Sequence, residues 1–264
     1  MPTPPLACDA HCHIIAPDPA GMAFQDYRRL QRRIGTTRAV IVQAKLHGTN
    51  HDVLLDALAQ LGPDGVGVGV VRTDVTDAEL KRLHAGGVRG LRFSVWKPAD
   101  TVTTIADIEP LARRVAPLGW HVQLHMSADQ IHDHASLIAG LPCRAVIDHM
   151  GRLPPAQGVA HPAFAVMNRL LDAGRTWVKL SGAYLNTKAG PPDYPDATAV
   201  ARALVAAAPE RLVWGSDWPH VTERHKPDDA VLLDLLSRWS GTEKDRKRIL
   251  VDNPDDLYGF ADSR

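Results

Sequence analysis

Two histidines one residue apart, His11 and His13, and a distant aspartate, Asp217, are the side chains in this sequence best suited to chemistry. His11-Cys12-His13 ends an apolar run that begins at Leu6. Asp217 follows a second apolar run within Gly215-Ser216-Asp217-Trp218-Pro219-His220. Side chains alternate faces along an extended strand, so His11 and His13 point the same way. Two imidazoles and a carboxylate at strand ends can hold a metal ion, polarise a carbonyl or carry a proton.

For these residues to meet, strands must bring them to one edge. Short β-rich apolar runs recur at 6–13, 39–43, 66–71, 88–93, 121–125, 145–149, 177–180 and 212–215, with starts about 22 to 35 residues apart. Helical patterns fill the gaps at 53–61, 77–85, 108–118, 132–139, 163–173, 198–208 and 228–237. Eight such alternations without a composition break predict an α/β fold, one (β/α)8 TIM-like barrel over residues 1–264. A doubly wound open sheet would gather its polar residues at one switch point, whereas here they recur at nearly every strand end.

Strand two leads into Lys45, placed to meet an anion. On strand four Gly90, Arg92 and Ser94 share a face, and the absent side chain at Gly90 is expected to leave room beside Arg92. An arginine inside a barrel needs a partner, either a core carboxylate or a substrate carboxylate, and the second is the expectation here. Strand five pairs Gln123 with His125. Strand six ends in Asp148-His149-Met150-Gly151-Arg152, offering His149 to the strand-one histidines, Asp148 to orient a neighbour and Arg152 to an anion. Strand seven carries Lys179 and Ser181, with Tyr184 beyond. A lone strand-end histidine is usually a hydrogen-bonded core imidazole; that reading weakens when His11, His13, His125 and His149 all fall at strand ends.

Thirty basic residues balance thirty acidic ones, so no net field draws nucleic acid or an anionic membrane. The run from Arg28 to Arg33 reads as a solvated helix face. Cys8, Cys12 and Cys143 are too few for a disulfide framework, suit a reducing cytoplasm and are expected as small core residues. Strand alternation places Cys8 and Cys12 on the face opposite His11 and His13. No leader peptide or membrane-spanning run is visible, and the expected partner is a small anionic molecule. The Gly190–Pro195 stretch reads as a loop that could cover the barrel mouth.

Together, HxH at His11/His13, DHMGR at 148–152, KLSGAY at 179–184, GSDWPH at 215–220 and NPDDLYGF at 253–260 make the chain resemble the amidohydrolase superfamily. Within it the chain looks most similar to the 2-pyrone-4,6-dicarboxylate lactonases and related sugar-acid lactone hydrolases and isomerases. The resemblance implies a site at the C-terminal mouth of a distorted barrel, with Asp217 as proton shuttle. Arg92 stands where binuclear relatives use a lysine or glutamate to bridge two metals, so a two-metal centre is not expected. The resemblance allows either no metal or one zinc, held by His11, His13, His149 and Asp217, with His125 as an additional ligand or neighbour.

The expected activity is hydrolysis of a carboxylated lactone. Asp217 acts as general base and acid, His11, His13 and His149 polarise the carbonyl directly or through one metal, and Arg92, Arg152, Lys45, Lys179 and His125 bind the anionic substrate. The rivals are zinc-dependent decarboxylation of an unsaturated acid, isomerisation of a sugar-acid lactone, and binding of an acidic metabolite without turnover.

Overall fold

The apolar runs become eight parallel strands that pair in sequence order: β1 (Cys8–Cys12), β2 (Arg38–Val42), β3 (Gly65–Gly69), β4 (Val88–Ser94), β5 (His121–His125), β6 (Ala145–Ile147), β7 (Thr176–Leu180) and β8 (Leu212–Trp214). The computed structural model describes residues 2–16, 21–97 and 101–260. Helices α1 (Phe24–Ile34), α2 (Asp52–Leu61), α3 (Asp77–Ala85), α4 (Ile108–Val115), α5 (Ala128–Asp133), α6 (Ala135–Ala139), α7 (Pro162–Asp172), α8 (Pro195–Ala207) and α9 (Asp229–Ser240) alternate with them. Three short C-terminal turns follow, ending in α10 (Glu243–Lys247) and α11 (Asn253–Tyr258) around a π-turn. This is a single-domain (β/α)8 barrel.

Each helix buries one stripe. In α1 the buried residues Phe24, Tyr27, Leu30 and Ile34 recur at helical spacing, Gly35 closes the helix at φ 80°, and Arg29, Arg32 and Arg33 face outward. The helix expected at 132–139 starts earlier and splits in two. Ser127 caps Gln130 N, and the Gln130 side chain returns to Ser127 N, a reciprocal cap that fixes the start at Ala128. Strand six is also shorter than expected, because His149, Met150, Gly151 and Arg152 all take positive φ and turn the chain.

Inside the barrel Val40, Val42, Val66, Val68, Val146 and Val213 stack with Trp177, and Tyr258 and Phe260 of the C-terminal segment join them. Val alternation produces this, since the intervening Ala39 and Ile41 face the helices instead. Cys8 lies in the interior stack, while Cys12 packs with the helix layer, so the two cysteines do not share a face. The reason is an irregularity in the β1–β2 register between Asp9 and Cys12, which breaks strict alternation just before His11. Gly90 leaves no open room beside Arg92 either: a Cβ there would lie 2.5 Å from the His121 ring, which occupies that space.

The barrel closes between β1 and β8. Asp217 N donates to His11 O at 2.7 Å and His13 N to Trp218 O at 2.8 Å, which sets the histidines beside the aspartate. Below them Asp9 substitutes side-chain acceptors for ladder bonds: Oδ1 accepts from Ser216 N (2.9 Å) and His11 N (3.2 Å), Oδ2 from Ser216 Oγ (2.6 Å) and Tyr27 OH (3.2 Å). Burial raises the Asp9 carboxyl from an ordinary 3.8 to about 6, against hydrogen bonds from Ser216 and His11 that lower it. A raised carboxyl penalises the ionised folded state; the penalty is full above about pH 6 and fades as the pH falls towards the unfolded value. Asp9→Ala leaves the Ser216 and Tyr27 donors without this acceptor and is expected to cost about 2–4 kcal/mol. The wild-type advantage over Asp9→Ala, measured by urea unfolding, should grow by about 1 kcal/mol between pH 8 and pH 5. A gap that shrinks on acidification would contradict this account.

Candidate active site

The site is built in two tiers. Its floor is a charged network. Asp148 Oδ2 accepts from Gln123 Nε2 at 3.1 Å and faces Arg92 Nε at 3.4 Å, while Oδ1 faces His11 Nδ1 at 3.4 Å and Lys179 Nζ at 3.9 Å. Lys179 Nζ, fully buried, donates to Ala10 O (2.7 Å) and Gln123 Oε1 (2.6 Å). Burial raises the Asp148 carboxyl, but His11, Lys179 and Arg92 outweigh that and hold it well below the usual carboxylate range. Burial lowers Lys179 to about 8 although Asp148 supports its charge.

Above this floor three donor atoms converge. His11 Nε2 and His13 Nε2 are 3.3 Å apart, and Asp217 Oδ1 lies 3.5 Å and 3.4 Å from them. His13 is oriented by its Nδ1 donating to Val42 O at 2.8 Å. Burial, aided by the Lys179 cation, takes His11 well below the ordinary histidine value. Burial likewise lowers His149, to about 4, and its Nδ1 is bonded to Ser181 Oγ at 2.9 Å. Burial works against ionising Asp217, yet His149, a hydrogen bond from His13 and the neighbouring His11 hold its carboxyl well below the ordinary range. A carboxylate ready to accept a proton beside imidazoles is the arrangement of a general base.

An open cavity of about 260 Å³ leads to these atoms. Its lining includes His13, Asp217, Arg92, Ser94, His125 and Lys45, with Ile15, Leu46, Trp96 and Val221 as apolar wall. Cationic side chains thus face the same space as Asp217, joined by Lys97. The His125 ring is fixed by Ser94 Oγ at 3.0 Å from Nδ1, and its buried Nε2 has no hydrogen-bond partner among the described residues.

The residues singled out from sequence therefore separate. His11, His13 and Asp217 come together. His149 sits behind His11, ring centroids 4.8 Å apart, and joins His11 and Asp148 in a second group of donor atoms, not the Asp217 group. Arg92 pairs with Asp148, the core ion pair, and also lines the cavity. Lys45 stands at the rim. Lys179 does not reach the cavity: a full set of internal partners encloses it under His11. Arg152 also lies outside the lining, stacked 4.0 Å over the Trp96 ring that forms the wall. No residue of the Gly190–Pro195 loop lines the cavity, and its Asp193 pairs with Arg238 of α9; exposed Leu46 and Val221, with Thr222, do line it.

Residues not assigned a part from sequence matter here. Tyr184 OH donates to Asp217 Oδ2 at 2.7 Å, and Gln123 bridges Lys179 to Asp148. Their signal was present, since Tyr184 lies in the KLSGAY motif and Gln123 shares a strand face with His125.

One divalent ion fits the three converging atoms. Ligands about 2.1 Å from a tetrahedral ion lie roughly 3.4 Å apart, which matches the separations given above. The Val42 carbonyl behind His13 and Asp148 behind His11 are oriented as outer partners of metal-bound imidazoles commonly are.

The family model described as amidohydrolase matches residues 8–260. A 2-pyrone-4,6-dicarboxylate hydrolase of Comamonas testosteroni is 33% identical over 97% of this chain and 90% of its own length. A 4-sulfomuconolactone hydrolase of Hydrogenophaga intermedia is also 33% identical, over 97% of this chain and 89% of its own. A crystal structure of a probable 2-pyrone-4,6-dicarboxylic acid hydrolase from Acinetobacter baumannii, with citric acid bound, superposes with a TM-score of 0.83 at 25% identity, covering 96% of this chain and 99% of that one.

Proposed function

The chain belongs to the amidohydrolase family, and we propose that it opens a carboxylated lactone by hydrolysis. The observation that carries this reading is the placement of ionised Asp217 and His13 on one wall of a cavity whose other polar walls are Arg92, Lys45 and Lys97. A lactone carboxylate held by Arg92 sets the ring carbonyl near His13 and Asp217, with the His125 ring in the same lining.

Asp217 takes a proton from water, and the water oxygen forms a bond to the lactone carbonyl carbon. The Nε2–H of His13, the one not given to Val42 O, stabilises the oxyanion, with His11 and His149 behind it in the wall. The tetrahedral adduct then collapses, the ring C–O bond breaks, and protonated Asp217 returns its proton to the leaving oxygen. The products together contain the lactone plus one water. A divalent ion held by His11, His13 and Asp217 would polarise the carbonyl and lower the pKa of water. Asp148, Gln123 and Lys179 brace His11 from below and take no part in bond making. No helix among the described residues is long and apolar enough to cross a membrane. Three buried free cysteines accord with a cytoplasmic place for the enzyme.

Incubation of metal-free and zinc-loaded protein with carboxylated lactones, read by mass spectrometry, tests the reading. A product heavier by one water in either arm is expected. A product of unchanged mass would reassign the chain as an isomerase, loss of carbon dioxide as a decarboxylase, and tight binding without change as a binding protein.

A further inference from the structure

A general base on a turn needs something to hold its carboxylate in one orientation. Asp217 lies outside strand and helix, at φ 62°, just past the end of β8. Its two oxygens have different surroundings. Oδ1 faces His11 and His13, whereas Oδ2 accepts from Tyr184 OH at 2.7 Å. Tyr184 has one hydroxyl proton, and an ionised carboxylate only accepts. The second contact of that hydroxyl, His220 Nδ1 at 2.8 Å, must therefore run from the ring N–H to the tyrosine oxygen. His220 Nε2, 2.9 Å from Asp229 Oδ1 at the start of α9, must donate as well, so both ring nitrogens carry hydrogen in this chain of bonds. The rings of Tyr184 and His220 pack edge to face, 5.0 Å between centroids, and His220 and Asp229 are buried.

We propose that Tyr184, His220 and Asp229 are positioning residues, a hydrogen-bonded tether that commits Asp217 Oδ2 to the wall and leaves Oδ1 to the reacting water. The tether joins the segment after β7, the segment after β8 and the start of α9, so three separately folded pieces fix one torsion. It rests on the reading of Asp217 as the base. Without Tyr184 the carboxylate can rotate about its Cβ–Cγ bond and present either oxygen, and small misplacements of a catalytic group are costly.

The test is steady-state kinetics on a lactone that the wild-type enzyme turns over. Tyr184→Phe keeps the ring and removes the hydroxyl; kcat should fall roughly 10- to 100-fold with KM within about twofold. Asp229→Asn, two bonds further out, should lower kcat less. Because His220 acts through Tyr184, Tyr184→Phe combined with His220→Leu should turn over no more slowly than the slower of the two single variants. Thermal unfolding of each variant separates loss of fold from loss of orientation. The tether is overturned by a Tyr184→Phe enzyme with wild-type kcat, by a change confined to KM, or by losses that multiply in the double variant. Asp217→Asn run alongside keeps the two readings apart. If it is inactive while Tyr184→Phe is unimpaired, only the tether fails; if it is active, the assignment of the base fails.

Discussion

Asp217→Asn is expected to lower kcat by roughly a thousandfold or more while the protein stays folded. The amide has nearly the shape of the carboxylate and keeps an oxygen to accept from Tyr184 OH, so the wall contact can persist. What it loses is the ability to take a proton from water and return it to the leaving oxygen, and no other carboxylate lines the cavity among the described residues. Asp148 cannot substitute: it is fully buried in the floor and engaged by Arg92, Gln123 and Lys179. The loss should fall on kcat more than on KM, because Arg92, Lys45 and Lys97 still face the substrate. Turnover within about tenfold of wild type, with an unfolding midpoint close to wild type, would remove Asp217 from the chemistry.

Gly215→Ala is expected to be the most damaging single-atom change to the fold. A Cβ at Gly215 would stand 2.6 Å from His11 Cβ and 2.8 Å from His11 N, and backbone cannot swing away as a side-chain tip can. The strands must part just where Asp217 N and His13 N make the closing bonds. Overpacking plus the two weakened hydrogen bonds amounts to about 3–5 kcal/mol, and the distances among His11, His13 and Asp217 should open with it. Gly241→Ala is the matched control: Gly241 also differs by one methyl, has φ +68°, and has nothing within 4 Å of the added atom. It should cost about 1 kcal/mol through backbone strain alone. Urea unfolding of both variants decides the matter; equal losses would show that close approach at the seam is not what demands glycine there.

Much of this could be read from residues alone, for identifiable reasons. Strand and helix periods are local properties, so all eight strands and the helices at 53–61 and 77–85 were legible to within a residue or a few. The pairing of His11 and His13 with Asp217 was legible because each ends a strand, and barrel strands end at one rim. Arg92 and Lys179 looked equivalent in sequence, each a cation on an apolar strand. Their depths differ, and only register decides that: Arg92 lies across from Gln123 on the route to Ser94 and His125, while Lys179 lies beside Val213 under Ala10. Cys8 misled because one irregular pairing in β1 overrides the alternation on which the reading rested.

The sequence by itself determined the barrel, the rim on which the site lies, and the histidine, aspartate and cationic residue types gathered there. It could do so because periodicity and strand-end position depend on near neighbours. Only the tertiary structure decided which of those residues line the cavity, which lie beneath it, and how Asp217 is held. Tyr184, His220 and Asp229 stand on three different segments, and the seam that joins His11 to Ser216, the residue before Asp217, spans 205 residues. Contacts between such distant segments follow from register, from the closeness allowed by Gly215 and from the packing of whole elements, none of which a local pattern encodes.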